Sequence, residues 1–277
     1  MSNPSFNTQL IQLNAKTAGK DKIYRTIQYG CKMFWYILWK NKTNKDYLEI
    51  LKKIESSMSN TRKVLRLAKS HEMIEAALKA IHIDDDFLRY IMTSYYINQA
   101  CYLVMDNLLW LNSVGVLNMK KNKLDKISEW SNKFWLFTTL LYLARDINDL
   151  INLIKYEQET SKKKSFNPAN KYIFNESSGA YESTSNLMES NKAQISNRRK
   201  TILAILICIM KKSKRILTNK NNHPLLLDFT KNIFDIFLPL SNANYINISP
   251  GMQGFCGLMS SLISLFVIWN SKYKLSP

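Results

Sequence analysis

Between Asp235 and Lys272 the chain carries no charged residue, an uninterrupted run from Ile236 through Ser271. A segment of that length on a water-facing surface ordinarily carries charges, so the gap constrains what surrounds it. Within it, residues Gly251 to Trp269 read GMQGFCGLMSSLISLFVIW. That is close to the ~20 apolar residues a helix needs to cross a hydrocarbon core roughly 30 Å thick. Pro250 and Lys272 bracket the segment, and the predicted span covers about residues 251–270. The competing reading is a buried helix of a soluble domain, although such helices are usually shorter. Gly254, Gly257, Ser261 and Ser264 recur at helical spacing, a face of small side chains onto which another helix can pack closely in lipid. The strict GxxxG pattern is absent.

The rest of the chain also reads as helix. With only 7 Gly and 6 Pro in 277 residues, turns are too scarce for a chain of short strands. The expected class is therefore all-α, a membrane-associated helical protein with amphipathic helices and a C-terminal transmembrane helix. Tyr90 to Met105 is a second uncharged segment, but it includes Thr93, Ser94, Asn98 and Gln99. It either crosses the membrane with its end charges snorkelling or lies half-buried against other helices. Phe134 to Ala144 and Ile202 to Met210 are too short to span. From Glu159 to Gln194 the composition turns to Ser, Asn, Lys and Glu without sustained periodicity, which predicts a disordered polar loop. Three regions follow: an N-terminal helical remodelling region over 1–158, the loop over 159–194, and a C-terminal helical region over 195–277.

A net charge of +18, from 39 Lys and Arg against 21 Asp and Glu, calls for an anionic partner such as nucleic acid or phospholipid. The segment Tyr47 to Lys69 favours the second. At about 100° per residue, Tyr47, Ile50, Leu51, Ile54, Met58, Thr61, Val64, Leu65 and Ala68 share one face. Lys52, Ser56, Ser59, Asn60, Lys63 and Arg66 lie opposite, with Arg62 and Lys69 at the border. The expected membrane-inserting set is Leu51, Ile54, Met58, Val64, Leu65 and Ala68, and the expected headgroup-binding set is Lys52, Lys53, Arg62, Lys63, Arg66 and Lys69. Each cation near an anionic leaflet contributes about 1 kcal/mol, and each buried aliphatic side chain a nominal ~1.5 to 3 kcal/mol before ordering is subtracted. An inserted helix sits about 5 to 10 Å deep in one leaflet; the widening of that leaflet bends the membrane. The alternative is that the apolar face packs on the protein's own core. The preceding segment repeats the theme: Ile23, Ile27, Cys31, Phe34 and Leu38 form a stripe beside Trp35, Tyr36 and Trp39, which suits either headgroup depth or a core.

Chemistry of other kinds finds little support. His71, His82 and His223 have no partners at catalytic spacing, so the chain does not read as an enzyme. Cys31, Cys101, Cys208 and Cys256 form no CxxC pair, no metal or cofactor is implied, and reduced thiols are expected. Asp84, Asp85 and Asp86 read as a cap for the helix that follows rather than as a metal site. No cleavable secretory signal is expected in the first thirty residues. A basic nucleic-acid-binding helical protein would show a recognisable module, and none is present. A pore for small metabolites would line a cavity with polar residues, for which Asn98, Gln99 and Asp106 are the candidates.

Six segments carry a resemblance: GKDKIYRTIQYG (Gly19–Gly30), SNTRKVLRLAKS (Ser59–Ser70), CYLVMDNLLWL (Cys101–Leu111), WSNKFWLFTTLLYLARD (Trp130–Asp146), HPLLLDFTKNIFDIFLPLS (His223–Ser241) and PGMQGFCGLMSSLISL (Pro250–Leu265). In this order they resemble the peroxin-eleven family of peroxisomal membrane proteins, over nearly the whole chain except the Ser/Asn-rich loop. The resemblance implies a protein of the peroxisomal membrane that elongates it before fission, self-associates as a homo-oligomer, and helps to recruit a fission adaptor and a dynamin-like GTPase. It also implies that the remodelling element is an N-terminal amphipathic helix, which maps onto Leu51 to Lys69. Both termini are then cytosolic, in keeping with Lys272 and Lys274 beyond the span. Because the chain ends KLSP and not in a matrix-import signal, targeting is expected to depend on the membrane segments. Alkaline carbonate extraction should therefore leave the protein in the membrane pellet; release with soluble matrix proteins would contradict an integral span.

Overall fold

The structure, a computed structural model, describes residues 6–165 and 219–273. Its regular elements there are helices: α1 (Phe6–Ala15), α2 (Thr17–Lys40), α3 (Lys45–Leu65), α4 (Lys69–Ala80), α5 (Asp86–Ser113), α6 (Lys121–Ser165), α7 (His223–Asn242) and α8 (Pro250–Trp269), with 3-10 turns at Lys220–Asn222 and Ser271–Tyr273. No strand occurs among the described residues, so the all-α class holds. Among them, α8 is the helix long and apolar enough to cross a membrane.

Local chemistry explains where the helices start. Asn44 accepts a hydrogen bond from the Asp46 N–H at 3.1 Å and opens α3. Asp85 accepts from the Leu88 N–H at 2.8 Å and opens α5, so the acidic triplet includes a cap. Ser249 accepts from the Met252 N–H at 3.2 Å, and Pro250 follows in the first turn of α8, where its missing N–H costs no bond.

The helix expected over Tyr47 to Lys69 is two helices. Ala68 adopts a left-handed backbone with φ 62° between α3 and α4. A residue with a Cβ is strained in that region, and the chain tolerates it where it reverses to pack α4 on α5. Arg66 caps the end of α3, and Ala68 and Lys69 lie beyond the helix they were expected to complete.

The chain divides into two compact units, residues 1–150 with 224–277, and residues 151–223. The second begins inside α6, which is helical to Ser165 and so enters the stretch read as loop from Glu159. The remainder of that stretch, and Ile202 to Met210, lie outside the described residues. In the first unit, α2 packs on both α3 and α8. The C-terminal helices accordingly share a unit with the N-terminal ones and do not form a region apart.

Beside apolar residues such as Met92, Leu103 and Leu238, this unit buries many polar and charged side chains and leaves many large apolar ones outside. Its buried side chains include Asp21, Arg25, Asn98, Asp106, Thr138, Asp146, Asn232 and Ser261. The exposed ones include Ile27, Phe34, Ile37, Ile50, Phe137, Leu140 and Phe255. Charged residues are almost never fully buried unless paired, and large aliphatics are among the residues most often buried. Helix α8 shares the distribution of the unit: Gly251, Gly254, Gly257, Ser261 and Ser264 are buried, while Met252, Phe255, Leu262 and Phe266 face outward.

The small face of α8 is covered by α2 of the same chain. A Cβ built on Gly254 would stand 2.6 Å from the Met33 backbone nitrogen, and one on Gly257 would penetrate the Tyr29 ring. Ser261 and Ser264 donate to the carbonyls of Gly257 and Ser260 at 2.5 and 2.8 Å, so their hydroxyls need no water. Within this chain, the helix that packs on the small face is α2. Gly257→Leu should separate α2 from α8 and lower stability by about 2 kcal/mol or more, whereas Phe255→Leu on the outward face should change it by less than about 1 kcal/mol. Thermal unfolding in detergent micelles, followed by circular dichroism, measures both.

Candidate functional site

Helix α3 presents its aliphatic side to the outside and its polar side to the protein. Tyr47, Ile50, Ile54 and Val64 are 60%, 52%, 37% and 44% exposed. Leu51, Met58 and Leu65, from the expected inserting set, lie beside them and are half-buried. Nothing in the described chain covers this stripe.

The opposite side of α3 is fixed by charge. Arg62, 11% exposed, pairs through Nε with Asp21 of α2 at 3.0 Å and donates from Nη1 to Gln28 at 2.7 Å. Arg66, 17% exposed, pairs with Asp106 of α5 at 2.9 Å and donates to the Tyr102 hydroxyl at 3.0 Å. These two arginines were expected to reach lipid headgroups. The structure corrects that expectation, because ion pairs in a low-dielectric interior hold their guanidiniums inside the unit. Of the other four cations, Lys52 is exposed with its ammonium 4.5 Å from the centre of the Trp35 ring. Lys53 is exposed and pairs with Glu49 at 2.8 Å. Lys63 and Lys69 are half-buried. Lys52 and Lys53 remain on the outer surface, the place a headgroup contact requires.

Behind α3 the charges continue across the unit. Arg25 of α2 pairs with Asp235 of α7, Arg145 of α6 with Asp146 and Asp228, and Lys231 with Asp228. Asn232 donates to the Asp146 carboxylate at 2.6 Å, and Asn98 to the Thr138 hydroxyl at 2.5 Å and the Phe134 carbonyl at 2.6 Å. A polar cavity of about 530 Å³ lies among α2, α3, α5, α6 and α7, with Gln99 and Asp106 in its wall. Helical-wheel reasoning on the amphipathic segment missed this interior. The signal was nevertheless in the sequence: Asp106 in CYLVMDNLLWL, Arg145 and Asp146 at the end of TTLLYLARD, and Asp235 in NIFDIFLPL are ionisable residues in or against apolar runs, where a charge needs a partner. These internal pairs remove equal numbers of cations and anions, so the net excess of +18 is carried by the other basic residues.

The comparisons with known proteins agree in their direction. A sequence model of the family described as Peroxisomal biogenesis factor 11 (PEX11) matches residues 7–269. The chain is similar to "Peroxisomal membrane protein 11B" of Homo sapiens, 24% identical over 267 residues, covering 96% of this chain and 98% of that protein. "Peroxisomal membrane protein 11A" of Homo sapiens is 28% identical over 261 residues, 94% of this chain and 95% of its own. "Peroxisomal membrane protein PMP30B" of Candida boidinii is 26% identical over 281 residues, 95% and 94% respectively. No solved structure matches the chain.

The Asp21–Arg62 pair gives the site a measurable pH dependence. Burial would raise the Asp21 carboxyl, but Arg62, with Lys22, Arg66 and Arg25, outweighs burial and carries it from 3.8 to about 2. Because the folded value is the lower one, the stabilisation is complete above about pH 4 and is lost as pH falls through about 2. Asp21→Asn should cost about 3 kcal/mol at neutral pH. The gap to the unmodified protein should close on acidification below about pH 4, as read by denaturant unfolding of both proteins across that range.

Proposed function

The chain belongs to the Peroxisomal biogenesis factor 11 (PEX11) family and is a peroxisomal membrane protein of peroxisome proliferation, and from that premise we propose that α3 is the element that curves and elongates the membrane. Helix α8 anchors the chain, while α3 lies in the plane of one leaflet with Tyr47, Ile50, Ile54 and Val64 among the acyl chains. The observation that carries this reading is the uncovered aliphatic stripe on a helix whose other side is held by buried ion pairs. Lys52 and Lys53, exposed on the same helix, supply attraction to anionic headgroups. A helix fixed to a folded unit transmits its wedge to the whole molecule. Remodelling then depends on many copies side by side, and a homo-oligomer would form through outward faces because α2 occupies the small face of α8. Recruitment of a fission adaptor and a dynamin-like GTPase completes the proposal, with no catalytic step assigned to this chain.

The reconstituted full-length protein should tubulate liposomes that contain anionic lipid. Changing Ile50 and Ile54 to Glu places two charges on the outward stripe and should abolish tubulation. Folding should be retained, since neither side chain supports the interior. A peptide covering Asp46 to Lys69 should be disordered in water and gain helicity on anionic vesicles. No gain in helicity, with undiminished tubulation by the Glu variant, would remove α3 from the mechanism. Leak of small solutes without tubulation would favour the pore reading, for which Gln99 and Asp106 line the cavity.

A further inference from the structure

The cavity behind α3 has a charge imbalance that its own side chains do not resolve. Three carboxylates line it, and each pairs with one arginine: Asp21 with Arg62, Asp106 with Arg66, and Asp235 with Arg25. Lys231, also in the wall, pairs with Asp228 outside it. The wall still contains Lys22 of α2 and Lys63 of α3, neither of which makes an ion pair among the described residues. Two lysines therefore line a cavity of about 530 Å³ without a carboxylate paired to either.

We infer that this cavity is a binding site for a phosphate-bearing anion, neutralised by Lys22 and Lys63 and hydrogen-bonded by the guanidinium groups beside them. A phosphate dianion balances two ammoniums, and its oxygens accept from several donors at once. The volume falls within the range of small-ligand sites, which run from roughly 300 to 1,000 Å³. Arg62 uses Nε for Asp21 and Nη1 for Gln28, which leaves its Nη2 to donate. Tyr29 and Tyr102 add hydroxyls to the same wall. Lys22 supports the assignment from another direction. Burial, followed by repulsion from Arg25, pushes its ammonium from 10.5 down to about 7, against the attraction of Asp21 and Asp235. An arriving anion would restore the charged form. The same chemistry is offered by a free phosphate compound and by the headgroup of an anionic phospholipid. The inference is independent of the wedge proposed for α3, since Lys22 and Lys63 take no part in the aliphatic stripe.

Full-length protein in detergent is titrated with inorganic phosphate and with pyrophosphate, using chloride at matched ionic strength as the reference. In parallel it is placed in nanodiscs of phosphatidylcholine with or without phosphatidic acid, and the retained lipid is read by native mass spectrometry. Binding of phosphate or pyrophosphate beyond chloride supports the site with a free anion as occupant. Selective retention of phosphatidic acid supports it with a headgroup as occupant. In either case Lys22→Gln and Lys63→Gln should each weaken binding about tenfold, whereas Lys79→Gln on the exposed side of α4 should not. The unliganded melting temperature of Lys22→Gln should not fall, because burial already disfavours the charged form of this side chain. Absence of both kinds of binding, or equal binding by the Lys22 and Lys63 variants and the unmodified protein, overturns the inference.

Discussion

A bundle that turns its aliphatic side chains outward has to settle its charges inward. Five of the helices meet this requirement through pairs that cross between them: α2 with α3, α3 with α5, α2 with α7, and α6 with α7. Such pairs add little net stability over well-packed apolar groups, yet removing one partner is expensive, so they specify which helices meet. Here they also set the rotation of α3. With Arg62 and Arg66 held on the inner side, Ile50, Ile54 and Val64 have only one direction in which to point. The wedge and the interior are therefore two sides of one arrangement, and the composition of α3 makes sense only when both are considered.

The all-α class, the C-terminal span and the amphipathic character of Tyr47 to Lys69 were legible because each is a local property of spacing and composition. The partners of each face were not. A helical wheel separates apolar from basic positions but is blind to the surroundings of either, and Arg62 looks the same at a membrane border as beside Asp21. The small residues of α8 likewise promise a close neighbour without saying that the neighbour is α2, more than 200 positions earlier. The break at Ala68 escaped because alanine is a strong helix former, and only the return of α4 onto α5 forces its left-handed backbone. What could have been found is the set of lone charges within apolar runs. These ask for a partner wherever the run is buried.

The two proposals divide α3 between its sides, the aliphatic side for the bilayer and the polar side for an anion. Both draw on the basic excess of the chain in different ways. Cations at the outer surface act through attraction to a plane of charge, which salt weakens. Cations in the cavity would act on a bound anion at contact distance, where salt screens less.

The pairing of Arg25 with Asp235 joins positions 210 residues apart. During synthesis the guanidinium leaves the ribosome long before its carboxylate exists, and the nearby Asp21 is already engaged by Arg62 once α3 has formed. A nascent or truncated chain that lacks α7 thus carries in α2 a guanidinium without the carboxylate that faces it in the finished fold. Completion of the last helices is what silences that cation. The contact thereby ties an early helix to a late one, so that the interior is electrically complete only in the whole chain.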